Sequence, residues 1–135
     1  YRAEHPPELI ARQAALWDPL LEWAAGELSG RFATSSGVMH VAQDPALLDR
    51  LAARLEASST LQLAALHVMT TLAGSALIAW AHVRGRFAAD AAWAAAHVDE
   101  DWQIEKWGED AEASARRQRR WRDFEAASRL HRLSP

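Results

Sequence analysis

A long apolar segment constrains the fold of this chain more than any other feature. Residues 61–83 form a run of 23 residues without a single Asp, Glu, Lys or Arg, and the run is apolar on almost every side of a helix. A stretch of this length could span a bilayer. Because Gln62, His67, His82 and many alanines make it only weakly hydrophobic on insertion scales, we predict a buried helix at the centre of a small bundle.

Signals for helix ends divide the remaining chain into further helices. Pro6-Pro7 and Asp44-Pro45 are typical of helix starts, and Gly85 and Gly108 separate later apolar stripes. Residues 31–42 are compatible with a short hairpin or an extended connection. The sequence therefore predicts a mainly α-helical bundle in a single helical domain over residues 1–135. The predicted helices, about five in number, cover residues 7–26, 45–57, 61–83, 88–107 and 110–130.

Composition excludes several classes of function. The chain has no cysteine, so neither a disulfide framework nor a thiolate metal site is available. Its net charge of −3 gives no surplus of cations for a general nucleic-acid binder. The basic block at residues 116–122 adjoins a strongly acidic stretch that would repel phosphate, so we predict no nucleic-acid partner.

Charge is segregated along the last third of the chain. Residues 99–112 carry seven carboxylates together with Trp102 and Trp107, and residues 116–132 carry seven arginines. Part of this pattern is ordinary helix electrostatics, since acids favour a helix N-terminus and Glu112 to Arg116 is an i,i+4 pair. The functional interpretation is a protein-recognition surface, in which tryptophan supplies anchoring area and carboxylates supply orientation.

No pattern in the sequence favours catalysis or a metal. His97, Asp101 and Glu105 share one stripe at helical spacing, but a bundle metal site needs a matching Glu-x-x-His pair on facing helices, and the chain has none. A nucleophile elbow, a phosphate-binding loop and a His-Glu-x-x-His motif are all missing. We therefore predict no enzymatic activity, no cofactor and no small-molecule substrate.

Particular strings of residues resemble a known family. Residues 98–113, above all Gln103-Ile104-Glu105-Lys106-Trp107-Gly108, resemble the signature of the chaperones that assist assembly of the F-type ATP synthase by holding its free α subunit. Residues 37–41, 65–67 and 72–77 are also similar to that family. The resemblance extends over nearly the whole chain.

This resemblance implies both a fold and a partner. The family has a small β-rich N-terminal domain, which is not present in this chain, followed by an orthogonal helical bundle, which the chain resembles. The family is not enzymatic, and its protein client is the ATP synthase α subunit. The implied location is the cytoplasm of a bacterium, or the mitochondrial matrix in a eukaryote, without membrane insertion. The acidic region around the Trp-Gly pair is implied as the partner-binding site: Glu100, Glu105, Trp107, Glu109, Asp110 and Glu112.

Two alternatives stay open at the level of sequence. The chain could be a generic helical interaction module with another client, or the non-catalytic part of a larger enzyme. A phosphate loop or metal motif in an upstream segment would favour the enzyme, whereas a short β-rich segment would favour the chaperone.

Overall fold

The computed structural model describes all 135 residues and contains seven α-helices and no β-strand. The predicted mainly α-helical fold class is therefore confirmed, although the helices are more numerous than the five expected. No helix combines the length and the apolarity that a membrane span requires. The helices are α1 (Pro7–Leu28), α2 (Pro45–Glu56), α3 (Thr60–Ala73), α4 (Ala76–Val83), α5 (Ala89–Ala96), α6 (Val98–Trp107) and α7 (Ala111–Leu133).

The long apolar segment is two helices instead of one. Helix α3 ends at Gly74, which has a φ of +65° that residues other than glycine adopt at a cost. Ser75 then caps α4, because its hydroxyl accepts a hydrogen bond from the Ile78 amide at 3.3 Å. A Cβ built on Gly74 would meet no atom within 4 Å, so this glycine serves the backbone conformation and not the close approach of another helix.

The expected helix at 88–107 is also divided. His97 has φ −117° and ψ 23°, outside the helical region, and it separates α5 from α6. Its imidazole Nδ1 donates to the Trp93 carbonyl at 2.9 Å. The Trp93 carbonyl near the end of α5 also accepts from the His97 amide at 3.1 Å, so the backbone and the side chain of His97 both bond the same carbonyl.

Of the two alternatives for residues 31–42, a short hairpin or an extended connection, the hairpin is wrong, because the segment contains no β-strand. Ser36 instead forms an isolated bridge with Arg2, and the Arg2 amide donates to the Ser35 carbonyl at 2.8 Å. The Gln43 side chain bonds both backbone groups of Ala33, at 2.8 and 2.9 Å. These partners pair the backbone groups of Ala33 and the Ser35 carbonyl without a second strand.

Contacts divide the chain into two compact units, residues 1–57 and residues 58–135. In the first unit, α1 and α2 pack around Leu20, Leu28 and Leu47, each at most 3% exposed. Arg50 of α2 donates to the Leu28 carbonyl at 2.6 Å and so ties α2 to the end of α1. The prediction of one helical domain over residues 1–135 stays a prediction.

In the second unit, α7 packs along α3, and aromatic rings form the core. Phe124 is fully buried and lies 5.5 Å from the Trp93 ring and 6.0 Å from the Trp121 ring. His82 of α4 bonds the Phe87 carbonyl at 2.9 Å and the Ser128 hydroxyl at 2.7 Å. Both ring nitrogens of His82 are thus bonded within the fold, whereas His67 is exposed.

We expect Gly74→Ala to lower the free energy of unfolding by about 1 kcal/mol, since alanine is strained at positive φ. Gly26→Ala is the matched control, because Gly26 lies inside α1 and a methyl group on its Cα would meet no atom within 4 Å. It should instead stabilise the protein by roughly 0.5–1 kcal/mol. Urea unfolding followed by circular dichroism measures both, and equal effects of the two substitutions would contradict the assignment.

Candidate functional site

The six predicted site residues surround the junction of α6 and α7, which we call the acidic corner: Glu100, Glu105, Trp107, Glu109, Asp110 and Glu112. Helix α6 ends because Gly108 has φ +87° and ψ 172°, a combination that is essentially restricted to glycine. The Gly108 amide still donates to the Ile104 carbonyl at 2.9 Å. The chain therefore reverses within three residues and presents acidic side chains on both sides of the turn.

Four of these six residues line one groove of about 260 Å³, namely Glu100, Trp107, Glu109 and Asp110. Glu105 and Glu112 are exposed nearby but do not line it. The remaining walls come from residues that the sequence did not indicate as site residues: Gln103, Ile104, Gly108, Ala113, Ser114 and Arg117.

Trp107 is the aromatic centre of the acidic corner and is 73% exposed. Its ring packs edge-on against Trp102, with the centroids 5.2 Å apart and the planes at 84°. Trp102 is 8% exposed, and its indole N–H is buried without a hydrogen-bond partner. The buried tryptophan thus supports the exposed one, which leaves most of the Trp107 ring available to a partner.

The carboxylates of the corner have different local roles. Asp110 caps α7, because its side chain accepts from the Ala113 amide at 2.9 Å. Glu100 lies 3.9 Å from the Arg117 guanidinium. Glu109 and Glu112 are exposed and make no hydrogen bond or ion pair, so their charge is not neutralised within the chain, and the i,i+4 pair expected between Glu112 and Arg116 does not form.

Arg117 is a site residue that sequence reasoning missed. It lies in the second turn of α7, yet its guanidinium pairs with Asp101 and Glu100 of α6, and its side chain is only 18% exposed. The sequence shows Arg117 only as one member of a basic run. Which arginine of the run pairs with α6 depends on how the chain reverses at Gly108. The spacing of residues in the sequence does not show that reversal.

His97 lies beneath the same region and is 7% exposed. Burial lowers its pKa below the ordinary value of 6.5, and the nearby Arg117 and Arg120 guanidinium groups also lower it. The hydrogen bond to the Trp93 carbonyl and the Glu100 carboxylate act in the opposite direction. The stripe of His97, Asp101 and Glu105 forms no metal cluster, since no three His, Asp or Glu side chains of the chain are grouped closely enough to hold an ion.

Comparison with solved structures gives three strong matches. Atp12 from Paracoccus denitrificans is 39% identical to this chain, with a TM-score of 0.94 over 100% of this chain and 58% of that one. The chain is similar to Atp12 over its whole length. A D-to-K mutant of the same P. denitrificans protein matches at 39% identity and a TM-score of 0.93, over 98% of this chain and 57% of the other.

The third match is a candidate chaperone from Agrobacterium tumefaciens, 45% identical, with a TM-score of 0.93 over 98% of this chain and 50% of that one. No protein-family model matches the chain. The Atp12-like chain therefore spans between half and three fifths of the length of these solved proteins. The resemblance that residues 98–113 indicated is confirmed over the full 135 residues.

We expect Arg117→Met to destabilise the Atp12-like chain by about 1 kcal/mol, because the ion pairs that join α6 to α7 are lost while the apolar stem is largely kept. The expected loss is small because the Glu100 and Asp101 side chains are 39% and 38% exposed. Arg116→Met is the control, since Arg116 is exposed and unpaired. Urea unfolding of both variants tests this, and an equal loss in the control would contradict the bridging role.

The lowered pKa of His97 predicts that stability falls as the solution becomes acidic. The unfolded chain binds a proton on this imidazole below about pH 6.5, whereas the folded chain resists it, so the free energy of unfolding decreases as pH falls through that value. His131, whose pKa is also lowered by burial and by His82, adds to the same slope.

His97→Gln should therefore reduce the difference in unfolding free energy between pH 7.5 and pH 5.5, values chosen about one unit either side of the ordinary histidine pKa. His67→Gln, at an exposed position, is the control and should leave the slope as in the parent protein. An unchanged slope in the His97 variant would show that its titration is not linked to folding.

Proposed function

We propose that this protein is an assembly chaperone of the F-type ATP synthase, which binds the free α subunit at the acidic corner. The observation that carries the proposal is the combination of whole-chain similarity to Atp12, an ATP synthase assembly factor, with an exposed tryptophan beside unneutralised carboxylates. The candidate chaperone from A. tumefaciens supports the same class of function.

The physical requirements of such a chaperone fit the acidic corner. An unassembled subunit exposes apolar interface that would otherwise aggregate, and a chaperone must cover that surface reversibly. Trp107 offers the rigid aromatic area that anchors a protein interface. Glu109 and Glu112 supply charge that steers and orients a client surface rich in Lys or Arg.

The size of the groove favours a protein side chain as its occupant. Its volume of about 260 Å³ lies below the roughly 300–1,000 Å³ of ordinary small-molecule sites. A single client side chain, such as an arginine aligned with Glu109 and Asp110, would fill it. Trp107 at the groove edge would then cover the apolar part of that side chain.

The capping role of Asp110 determines how the proposal is tested. Reversing its charge would remove the cap and cost about 1 kcal/mol of stability, so lost binding could reflect a damaged α7. Glu109 and Glu112 make no such contact, so their substitution keeps the cap of α7 and costs only the modest stabilisation, about 0.3–1 kcal/mol, that an acid near a helix N-terminus supplies.

We expect the double variant Glu109→Lys/Glu112→Lys to capture the α subunit at least about tenfold more weakly than the parent protein, because the steering charge is inverted. Asp49→Lys/Glu56→Lys is the control, since it makes the same change of net charge at exposed positions of α2. Capture is measured by co-expression with the ATP synthase α subunit and co-purification, with the β subunit as a second client for comparison.

Two results would count against the proposal, and they differ. Capture by the acidic-corner variant equal to that by the control would reject the acidic corner as the docking surface. Failure of the parent protein to capture the α subunit would reject the client itself. Circular dichroism of each variant confirms that the helices are retained.

A further inference from the structure

A second surface, which the sequence did not indicate, lies between α3 and α7. The two helices enclose an open apolar groove of about 620 Å³, which we call the α3–α7 groove. Its walls include Val68 and Leu130, which are 41% and 44% exposed, and its floor includes alanines of both helices. Asp123 is the one carboxylate that lines it.

Exposed apolar side chains continue this surface beyond the groove. Leu61 lies one turn before Ala64 on α3 and is 54% exposed, and Leu133 lies one turn after Leu130 on α7 and is 74% exposed. The Gln62 side chain bonds the Ser134 carbonyl, so the helix ends that carry these two leucines are adjacent and extend the apolar surface in the same direction. Exposed apolar patches of this kind mark protein interaction sites on soluble proteins.

We propose that the α3–α7 groove binds an amphipathic helix of the client, with an apolar stripe on one face and a Lys or Arg that pairs with Asp123. This inference rests on the proposed function and gives the chaperone a second contact with its client. The backbone, the dimensions and the charge of the groove each favour an amphipathic helix as the bound segment.

The backbone of the groove walls favours a helix over an extended segment. Both walls are α-helical, so most of their amides and carbonyls are already paired within each helix, and the Leu72 carbonyl near the end of α3 accepts from the Arg120 side chain. An extended client strand would find no backbone partners there and would lose its own hydrogen bonds to water. A helix satisfies its backbone internally and needs only side-chain packing, for which alanines at the floor allow a close approach.

The length of the groove sets the length of the bound segment. On α3 the lining runs from Ala64 to Leu72, and on α7 it runs from Asp123 to Leu130. At 1.5 Å per residue these walls are roughly 10–12 Å long, or about two helical turns. The client stripe should therefore contain apolar residues at i, i+3 or i+4, and i+7.

The position of Asp123 at one end of the groove sets the orientation of the bound client helix. The Arg120 side chain donates to the Leu72 carbonyl at 2.8 Å, and the Gln62 side chain donates to the Ser134 carbonyl at 3.1 Å, so α3 and α7 run antiparallel. Asp123 consequently lies at the Leu72 end of the groove, and Leu130 lies at the opposite end. Asp123 is exposed and unpaired, so it can form an ion pair with a client Lys or Arg at that end, where the Arg120 guanidinium is already bonded to the Leu72 carbonyl.

The test compares substitutions inside the groove with similar ones outside it. Val68→Lys/Leu130→Lys places two charges in the groove and should weaken binding of the purified α subunit at least about tenfold. Leu63→Lys/Leu48→Lys is the matched control, because these leucines are 39% and 46% exposed and do not line the groove. The control should bind as the parent protein does.

A second pair of variants tests the charge. Asp123→Arg should weaken binding by roughly threefold, in line with the modest value of an exposed ion pair. Glu125→Arg, two residues along α7 and outside the groove, should leave binding unchanged. A photoreactive residue at position 68 should crosslink to an amphipathic helical segment of the α subunit.

Three results would overturn the inference. The first is binding by Val68→Lys/Leu130→Lys equal to that of the control while Glu109→Lys/Glu112→Lys still loses binding, which leaves the proposed function intact. The second is a crosslink from position 68 to another copy of this chain, with self-association in sedimentation that the groove variants abolish. The third is failure of the parent protein to bind the α subunit, which rejects the proposed function together with this inference.

Discussion

Helix α7 buries only two residues, Phe124 and Ala127, yet both candidate binding surfaces lie along it. Phe124 holds the helix because its ring packs against Trp93 and Trp121 and is fully removed from solvent. Burying a ring of this size contributes on the order of 2–3 kcal/mol, more than any single surface contact of α7. The acidic corner at one end of α7 and the α3–α7 groove along its side are both positioned by that one anchor.

Polar contacts then fix the register of this mostly charged helix. Arg117 forms an ion pair with Asp101 of α6, and the Arg120 side chain donates to the Leu72 carbonyl near the end of α3. The Gln62 side chain donates to the Ser134 carbonyl just after α7. Each contact uses a long side chain whose stem lies along the protein surface. Outside these contacts, Glu109, Glu112 and Asp123 have no partners, so the second unit contains both charges that hold the fold and charges that stay unpaired on its surface.

Much of the fold was predictable where local chemistry decides it. Asp44-Pro45 begins α2, with the Asp44 side chain accepting from the Ala46 amide at 3.0 Å. Ser59 and Gln62 form a full capping box at the start of α3. The division at Gly74 was missed because the small pair Gly74-Ser75 fits a crowded helix and a helix end equally well. The hairpin alternative for residues 31–42 was wrong because the segment bonds to Arg2 and to the Gln43 side chain, and neither belongs to a local strand pattern.

The sequence by itself determined the mainly helical class, the family resemblance and the position of the acidic corner, because caps, apolar periodicity and a run of carboxylates are local properties. Only the tertiary structure decided that Trp107 is exposed on a buried Trp102, that Arg117 is the arginine paired with α6, and that α3 and α7 leave an apolar groove open. These features depend on how helices far apart in sequence pack together. Packing decides which side chains lose contact with water, and no single segment of the sequence contains that information.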